Sequence, residues 1–227
     1  MNSWQIKARS FARKAGIVRL INLVRPPGSY EERVNQALTG AVMPGDVVWD
    51  VGANVGIYTQ LFCQWVGKNG FVVAFEPFAG SCEEIRQRVP DCAWLQVENI
   101  ALGETDTTGV LMTGSDSTVN HLASEADTLD AGEGIEVVIC RGDTVCSRLR
   151  RVPNVIKVDV EGFEEEVLAG MGEMLRSPEL RSVLVEVHFK KLEDRGRSMA
   201  PIRIERLLGG MSFKTDWVDA SHLFATR

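Results

Sequence analysis

No apolar run in this 227-residue chain approaches the roughly 18 residues that a membrane-spanning helix needs. Cysteine is sparse and badly spaced for staples. Cys63, Cys82, Cys92, Cys140 and Cys146 make an odd number, and no two have CxxC spacing. That speaks against a disulfide framework or a zinc site, and for buried thiols in a reducing, cytoplasmic setting. Positive charge is in deficit: 25 Lys and Arg face 31 Asp and Glu, a net charge of −6. A balance this acidic is not built to track a phosphate backbone, so nucleic acid is not an expected partner. Internal repeats and low-complexity tracts are absent. The N-terminal apolar stretch is interrupted by Arg19 and Asn22 and has no small-residue cleavage site, so it does not read as a secretory signal.

What is present fits an ordinary globular chain: 44% hydrophobic and 25% charged residues. The length suits one large domain, or one domain with an appendage. Charge is unevenly spread. Residues 1–30 carry Lys7, Arg9, Arg13, Lys14, Arg19 and Arg25 and no acid, which leaves −12 on the rest. Trp4, Phe11, Val18 and Ile21 recur there at helical spacing, and Arg25-Pro26-Pro27-Gly28 ends the pattern. The expected organisation is a basic helical appendage over 1–29 and a main domain over 30–227. Residues 1–25 are a candidate cap on a substrate cleft or a homodimer contact, with a membrane-surface helix as the alternative.

The main domain reads as alternating strands and helices. A helix begins at Ser29 and runs to about Leu38. Val47–Val51 is a short apolar strand, and a helix with Leu61, Phe62 and Trp65 follows. Phe71–Phe75 is a second strand, then comes a helix with Ile85 and Val89, then a strand near Ala93–Val97. This βαβαβ order is the signature of a parallel, doubly wound α/β sheet. Later, Asn154–Asp159 and Ser182–Val187 read as strands, Glu164–Leu175 and Pro201–Leu208 as helices. Phe213–Val218 and His222–Ala225 read as an antiparallel edge hairpin. Thr107–Met112 and Ile135–Cys140 are candidate strands on either side of Thr113–Gly134, a stretch with five acids and no basic residue. A loop that long suits a lid or binding loop.

The chemistry concentrates in Asp50-Val51-Gly52-Ala53-Asn54-Val55-Gly56, at a strand end that opens a helix. Glycines there let the backbone approach a ligand beyond the carboxyl ends of the strands. Glu76 ends the next strand, where an acid can accept both hydroxyls of a ribose. The dinucleotide fingerprint is incomplete, because its third and sixth places hold Asn54 and Ile57. Asp50 would repel a pyrophosphate and suits an ammonium. The pattern therefore points to S-adenosylmethionine, which joins a ribose to an ammonium and a sulfonium without phosphate. A tight strand-to-helix turn with no ligand is the alternative.

The segments "GDVVWDVGANVGIYT", "VVAFEP", "ENIALGE" and "VIKVDVEGFEEEVLAGM" together resemble the FkbM family of S-adenosylmethionine-dependent methyltransferases, over about Tyr30 to Glu186. The resemblance implies a Rossmann-like class I methyltransferase fold, and methylation of hydroxyls on sugars, polyketides and other natural products. Methylation of a peptide amide or amine is the alternative, and a non-catalytic module that binds S-adenosylmethionine is a further one. It implies that Asp50, Gly52, Ala53, Asn54 and Gly56 surround the methionine part, and that Glu76, followed by Pro77, holds the ribose. Asn99, Ile100 and Ala101 would lie along the adenine. Thr59 falls one turn into the loop helix, as a cofactor-side residue or a cap.

Lys157, Asp159 and Glu161 alternate along a strand and its exit, so they share one side. Charges repeated on one side of a central strand are costly unless they serve a ligand or one another. Glu186 and His188 repeat the pattern on the next strand. The expected catalytic residues are Asp159, Glu161 and His188. His188 is the general base, with an ordinary value of about 6.5, and Glu186 fixes its tautomer. The competing uses are a Lys157–Asp159 ion pair that supports the loop, and Asp159, Glu186 and His188 as ligands of Mg²⁺ or Mn²⁺. No metal is expected to be required. His121, with Ser115, Asp116, Ser117 and Asn120, is a candidate substrate contact, and His222 is expected to be structural.

Overall fold

The computed structural model describes residues 29–112, 121–122 and 134–227. The basic segment and most of the acidic stretch, including Ser115, Asp116, Ser117 and Asn120, lie outside the described residues, as does the side chain of His121.

Helix α1 (Ser29–Ala41) leads into β1 (Val47–Val51), α2 (Ile57–Val66), β2 (Phe71–Phe75), α3 (Ala79–Arg88) and β3 (Leu95–Glu98). A second group follows: β4 (Ala101–Gly103), β5 (Thr107–Met112), β6 (His121–Leu122), β7 (Gly134–Arg141) and α4 (Gly142–Leu149). The alternation then resumes with β8 (Val155–Val158), α5 (Glu164–Ala169), β9 (Ser182–Glu186), α6 (Phe189–Asp194), α7 (Ala200–Gly210), β10 (Lys214–Trp217) and β11 (His222–Thr226). The main sheet has the order β10-β11-β9-β8-β1-β2-β3. Its five strands from β9 to β3 are parallel, while β11 runs antiparallel to both β9 and β10. This is the Rossmann-like class I methyltransferase arrangement, with the expected antiparallel hairpin at one edge. A small second sheet has the order β4-β7-β5-β6.

The central strands are largely apolar because helices cover both faces, with Asp50 and Lys157 the charged exceptions on β1 and β8. Trp49, Ile156, Val158, Val183 and Val185 pack with Val167, Leu168, Met171, Ile204 and Leu208. On the opposite face, Val48, Val72, Val155 and Leu184 pack with Val34, Leu38 and Phe62. The period of two places Asp50 and Lys157, which are register partners, on this second face.

The helix expected over Glu164–Leu175 is broken. It stops at Ala169 and resumes as a 3₁₀ turn at Met174–Arg176. The reason is a contact remote in sequence. A Cβ on Gly170 would stand 1.9 Å from the carbonyl oxygen of Gly103. The Gly170 carbonyl accepts the N–H of Asp143 (3.0 Å), and Oδ1 of Asp143 accepts the N–H groups of Glu173 (3.1 Å) and Met174 (3.0 Å). Asp143 thus re-caps the chain after the break. The apolar face survives it, since Val167, Leu168, Met171 and Leu175 are all fully buried. Helices α4 and α6 are additions to the sequence reading. Gly170→Ala should cost about 3 kcal/mol, the upper end for forcing extra volume into a packed contact. An unchanged midpoint in urea unfolding would contradict the contact.

Candidate active site

Strand β1 lies between β2 and β8, so its carboxyl end is the point where strand order reverses and open α/β sheets form their ligand crevice. The glycine loop leaves β1 there. Gly52 has φ +77, and a Cβ on it would lie 1.9 Å from the carbonyl oxygen of Asp159, so the two strand ends are in backbone contact. The N–H groups of Gly52 and Ala53 both donate to the Phe75 carbonyl at 3.0 Å. The N–H of Asn54, itself left-handed at φ 48, donates to Oε2 of Glu76 at 2.9 Å. Oε1 of Glu76 accepts the N–H of Phe78 at 2.9 Å. Burial raises the Glu76 carboxyl above its usual range, against the pull of these two bonds.

These residues fit a nucleoside. Each Glu76 oxygen keeps a second lone pair after accepting one N–H, and two ribose hydroxyls can use them. Oδ1 of Asn54 is buried with no hydrogen-bond partner among the described residues, which leaves an acceptor at the loop for a ligand donor. Asn99 donates to the carbonyls of Glu76 (3.0 Å) and Pro77 (2.8 Å), tying the ends of β2 and β3 together. Of the adenine-side trio, Asn99 is exposed, Ile100 packs against the main core, and Ala101 is buried at the start of β4.

Asp50 is placed differently from the expectation that it meets an ammonium directly. It has no exposed surface. The Thr59 hydroxyl donates to its Oδ2 at 2.7 Å, and Lys157 Nζ lies 3.5 Å from its Oδ1. Burial raises the Asp50 carboxyl. Asp50 thus ties the loop helix, through Thr59, to Lys157 on β8. Burial alone would discharge Lys157, but Asp159 and Asp50 hold it firmly protonated. Its ammonium also sits 5.0 Å from the centre of the Tyr58 ring.

From Lys157 the charges continue outward. Its Nζ is 3.1 Å from Oδ2 of Asp159. Burial pushes Asp159 up, and Lys157 and His188 outweigh that, so its carboxyl stays below the ordinary value. His188 Nε2 is 3.7 Å from Oδ1 of Asp159 and 3.2 Å from Oε2 of Glu161. Glu161 has left-handed backbone, φ 55, which turns it out of β8 toward the histidine. The structure therefore brings Asp159, Glu161 and His188 together.

Two partners come from outside the sequence reading. Glu164, fully buried, meets His188 Nδ1 at 2.7 Å through Oε1, which also accepts the N–H of Gly162 at 2.8 Å. Lys191, from α6, reaches Oε2 of Glu161 at 2.8 Å. Glu164, and not Glu186 as expected, is the carboxylate that meets the His188 ring at Nδ1. Glu186 turns instead to Nε2 of His222 at 3.3 Å. A sequence signal did exist, in three consecutive acids at a helix start three residues beyond Glu161. His188 also departs from its expected titration. Burial pushes the imidazole down, but Glu164, Glu161 and Asp159 more than offset that and raise it to about 9.

Asp159, Glu161 and His188 each offer a ligand atom within 4.8 Å of the others. The alternative cation set with Glu186 is not assembled, because Glu186 faces His222. Mixed oxygen and imidazole donors suit Mn²⁺ better than Mg²⁺. Lys157 and Lys191 already supply counter-charge to two of these carboxylates.

Residues 50–214 match the model of the methyltransferase FkbM domain. The 31-O-demethyl-FK506 methyltransferase FkbM of Streptomyces tacrolimicus is 30% identical over 174 residues, 64% of this chain and 66% of that protein. The hexuronic acid methyltransferase AglP of Haloferax volcanii is 30% identical over 160 residues, 70% of this chain and 62% of that protein. The chain thus spans just under two thirds of each relative. Cofactor-bound Rv0187 from MTB superposes with a TM-score of 0.52 at 14% identity, over 95% of this chain and 88% of that one. SMU.1697c of Streptococcus mutans, solved with S-adenosylhomocysteine, gives 0.52 at 9% identity, over 89% and 97%. Fold and family model together place the chain in the class of methyltransferase domains with a Rossmann-like fold. Within that class the chain belongs to the FkbM methyltransferase family.

Three measurements bear on the site. Glu76→Ala should weaken S-adenosylhomocysteine binding by about 1.5–3 kcal/mol in calorimetry, the range for hydrogen bonds to a charged group; unchanged affinity would place the ribose elsewhere. In the ligand-free protein, His188 should titrate near 9 by NMR, and Glu164→Gln should lower it. His222 is likewise raised to about 9, with burial opposing and Asp219 and Glu186 prevailing. Both folded values lie above the unfolded 6.5. Their contribution to stability is therefore full below about 6.5 and is lost as pH rises through about 9. Melting temperatures that stay flat from pH 7 to 10 would contradict this.

Proposed function

We propose that this chain transfers the methyl group of S-adenosylmethionine to a hydroxyl oxygen of a sugar, polyketide or other natural product. The observation that carries the proposal is the Asp159–Glu161–His188 cluster, held at the carboxyl ends of β8 and β9 and in backbone contact with the glycine loop through Gly52. The relative that is a 31-O-demethyl-FK506 methyltransferase supports an oxygen acceptor.

The bound donor supplies an electrophilic methyl carbon on a sulfonium. The chain's residues do the rest. The stitched loop and Glu76 orient the donor, and Asp159 and Glu161 flank Nε2 of His188 and orient it toward the acceptor hydroxyl. His188 takes the hydroxyl proton at Nε2 as the oxygen–carbon bond forms and the carbon–sulfur bond breaks. With a value raised to about 9, His188 carries a proton at neutral pH in the ligand-free protein. Turnover should therefore climb with pH toward about 9 instead of levelling near 6.5. The surplus of carboxylates around His188 also favours a cationic amine, so nitrogen acceptors are the second reading.

Mass spectrometry after incubation with S-adenosylmethionine and a panel of hydroxylated and amino acceptors identifies the methylated atom. A product methylated on nitrogen alone would overturn the oxygen assignment. His188→Ala should lose roughly 10²–10⁴-fold in turnover, the usual span for a general base, with S-adenosylhomocysteine affinity nearly unchanged. Full turnover in that variant refutes the base. Activity abolished by EDTA and restored by Mn²⁺ would make the three residues metal ligands instead.

A further inference from the structure

Glu186 ends β9 beside the end of β8. In the parallel β8–β9 pair Val158 is level with Val185, so Asp159 and Glu186 follow as the next pair, on the face that carries Lys157. Parallel neighbours stand roughly 4.8 Å apart at the backbone. Two carboxylates at that spacing repel unless counter-charge stands beside them. Each has a basic group set behind it that it shares with a buried carboxylate, Asp50 in the case of Lys157 and Asp219 in the case of His222. Asp159 is backed by Lys157, whose side chain is 5% exposed, and Glu186 by His222, at 6%. Both carboxylates stay partly open, at 28% each.

The backing of Glu186 is itself built. His222 Nδ1 lies 2.9 and 3.1 Å from the two oxygens of Asp219. Oδ1 of Asp219 also accepts the N–H groups of Ser221 (2.8 Å) and His222 (2.9 Å), which locks the turn between β10 and β11. The Ser221 carbonyl in turn accepts the N–H of Val187, the residue after Glu186. A tie whose role was only to hold β11 to β9 would be complete with Asp219 and the strand ladder. It would not require a half-open carboxylate on the crevice side of the histidine.

We propose that Glu186 is a second acceptor-binding residue. It receives a hydrogen bond from a hydroxyl next to the one that is methylated, while Asp159 faces the reacting hydroxyl. The acceptor class this selects is a neutral polyol with two neighbouring donors. An acceptor that carries a carboxylate beside the reacting oxygen meets two fixed negative charges and is disfavoured. The inference rests on the oxygen-acceptor reading and names its specificity.

The test is binding in the presence of S-adenosylhomocysteine, read by saturation-transfer NMR. The probes are the methyl glycosides of glucose, galactose and mannose, each against its matching uronate. At least one neutral glycoside should bind ten times or more tighter than its uronate. Glu186→Gln, which keeps the shape and removes the charge, should cut that ratio at least threefold. Glu186→Ala should weaken the glycoside itself, with S-adenosylhomocysteine affinity serving as the check on folding. Equal or tighter uronate binding, no binding of any glycoside, or a ratio unchanged in Glu186→Gln overturns the proposal. The two readings fail separately. Selectivity that holds while no oxygen is methylated removes the oxygen reading and leaves the Glu186 site. An oxygen-methylated product without the selectivity does the reverse.

Discussion

A buried lysine between two aspartates holds the centre of this molecule. Lys157 sits on β8 with Asp50 as its register partner on β1 and Asp159 two residues ahead on its own strand. No apolar residue at 157 would leave the other two groups stable, since an uncompensated buried charge costs about 3–5 kcal/mol. The ion pair thus fixes the switch point of the sheet electrostatically. Through Asp50 and Thr59 it holds the start of the loop helix, and through Asp159 it sets the first charge beyond the end of β8.

The two halves of the site are made of different material. The glycine-loop half is largely backbone: N–H groups of Gly52 and Ala53 are committed to the Phe75 carbonyl, and the Glu76 carboxylate is aimed by the N–H groups of Asn54 and Phe78. The half at the ends of β8 and β9 is side chains, arranged as an alternation of charge from Lys157 through Asp159 and His188 to Glu161 and Lys191. Every member has an opposite neighbour, which is how so many ionisable groups share one strand end.

What was legible in the sequence was what is local. The strands at 47–51, 71–75 and 182–186 and the glycine loop announce themselves within a dozen residues, because apolar runs and left-handed turns are short-range signals. Asp159, Glu161 and His188 were legible as a set because period-two spacing puts them on one side. Contacts set by tertiary position were not. The break after Ala169 depends on Gly103 and Asp143, remote in the chain. Glu164 was read only as a helix residue, since its meeting with His188 spans 24 positions. Glu186 was given the wrong histidine because β11 slots in beside β9, and β-sheet topology, not spacing, decides which imidazole it meets. The shift of His188 has the same origin, because three acids around one ring exist only after folding.

The contact between Gly52 and the Asp159 carbonyl joins the glycine loop to the end of β8 main chain to main chain. It does not use the carboxylate of Asp159, which is left to pair with Lys157 and His188. The seat of the loop and the charge presented beside it are therefore carried by different atoms of one residue.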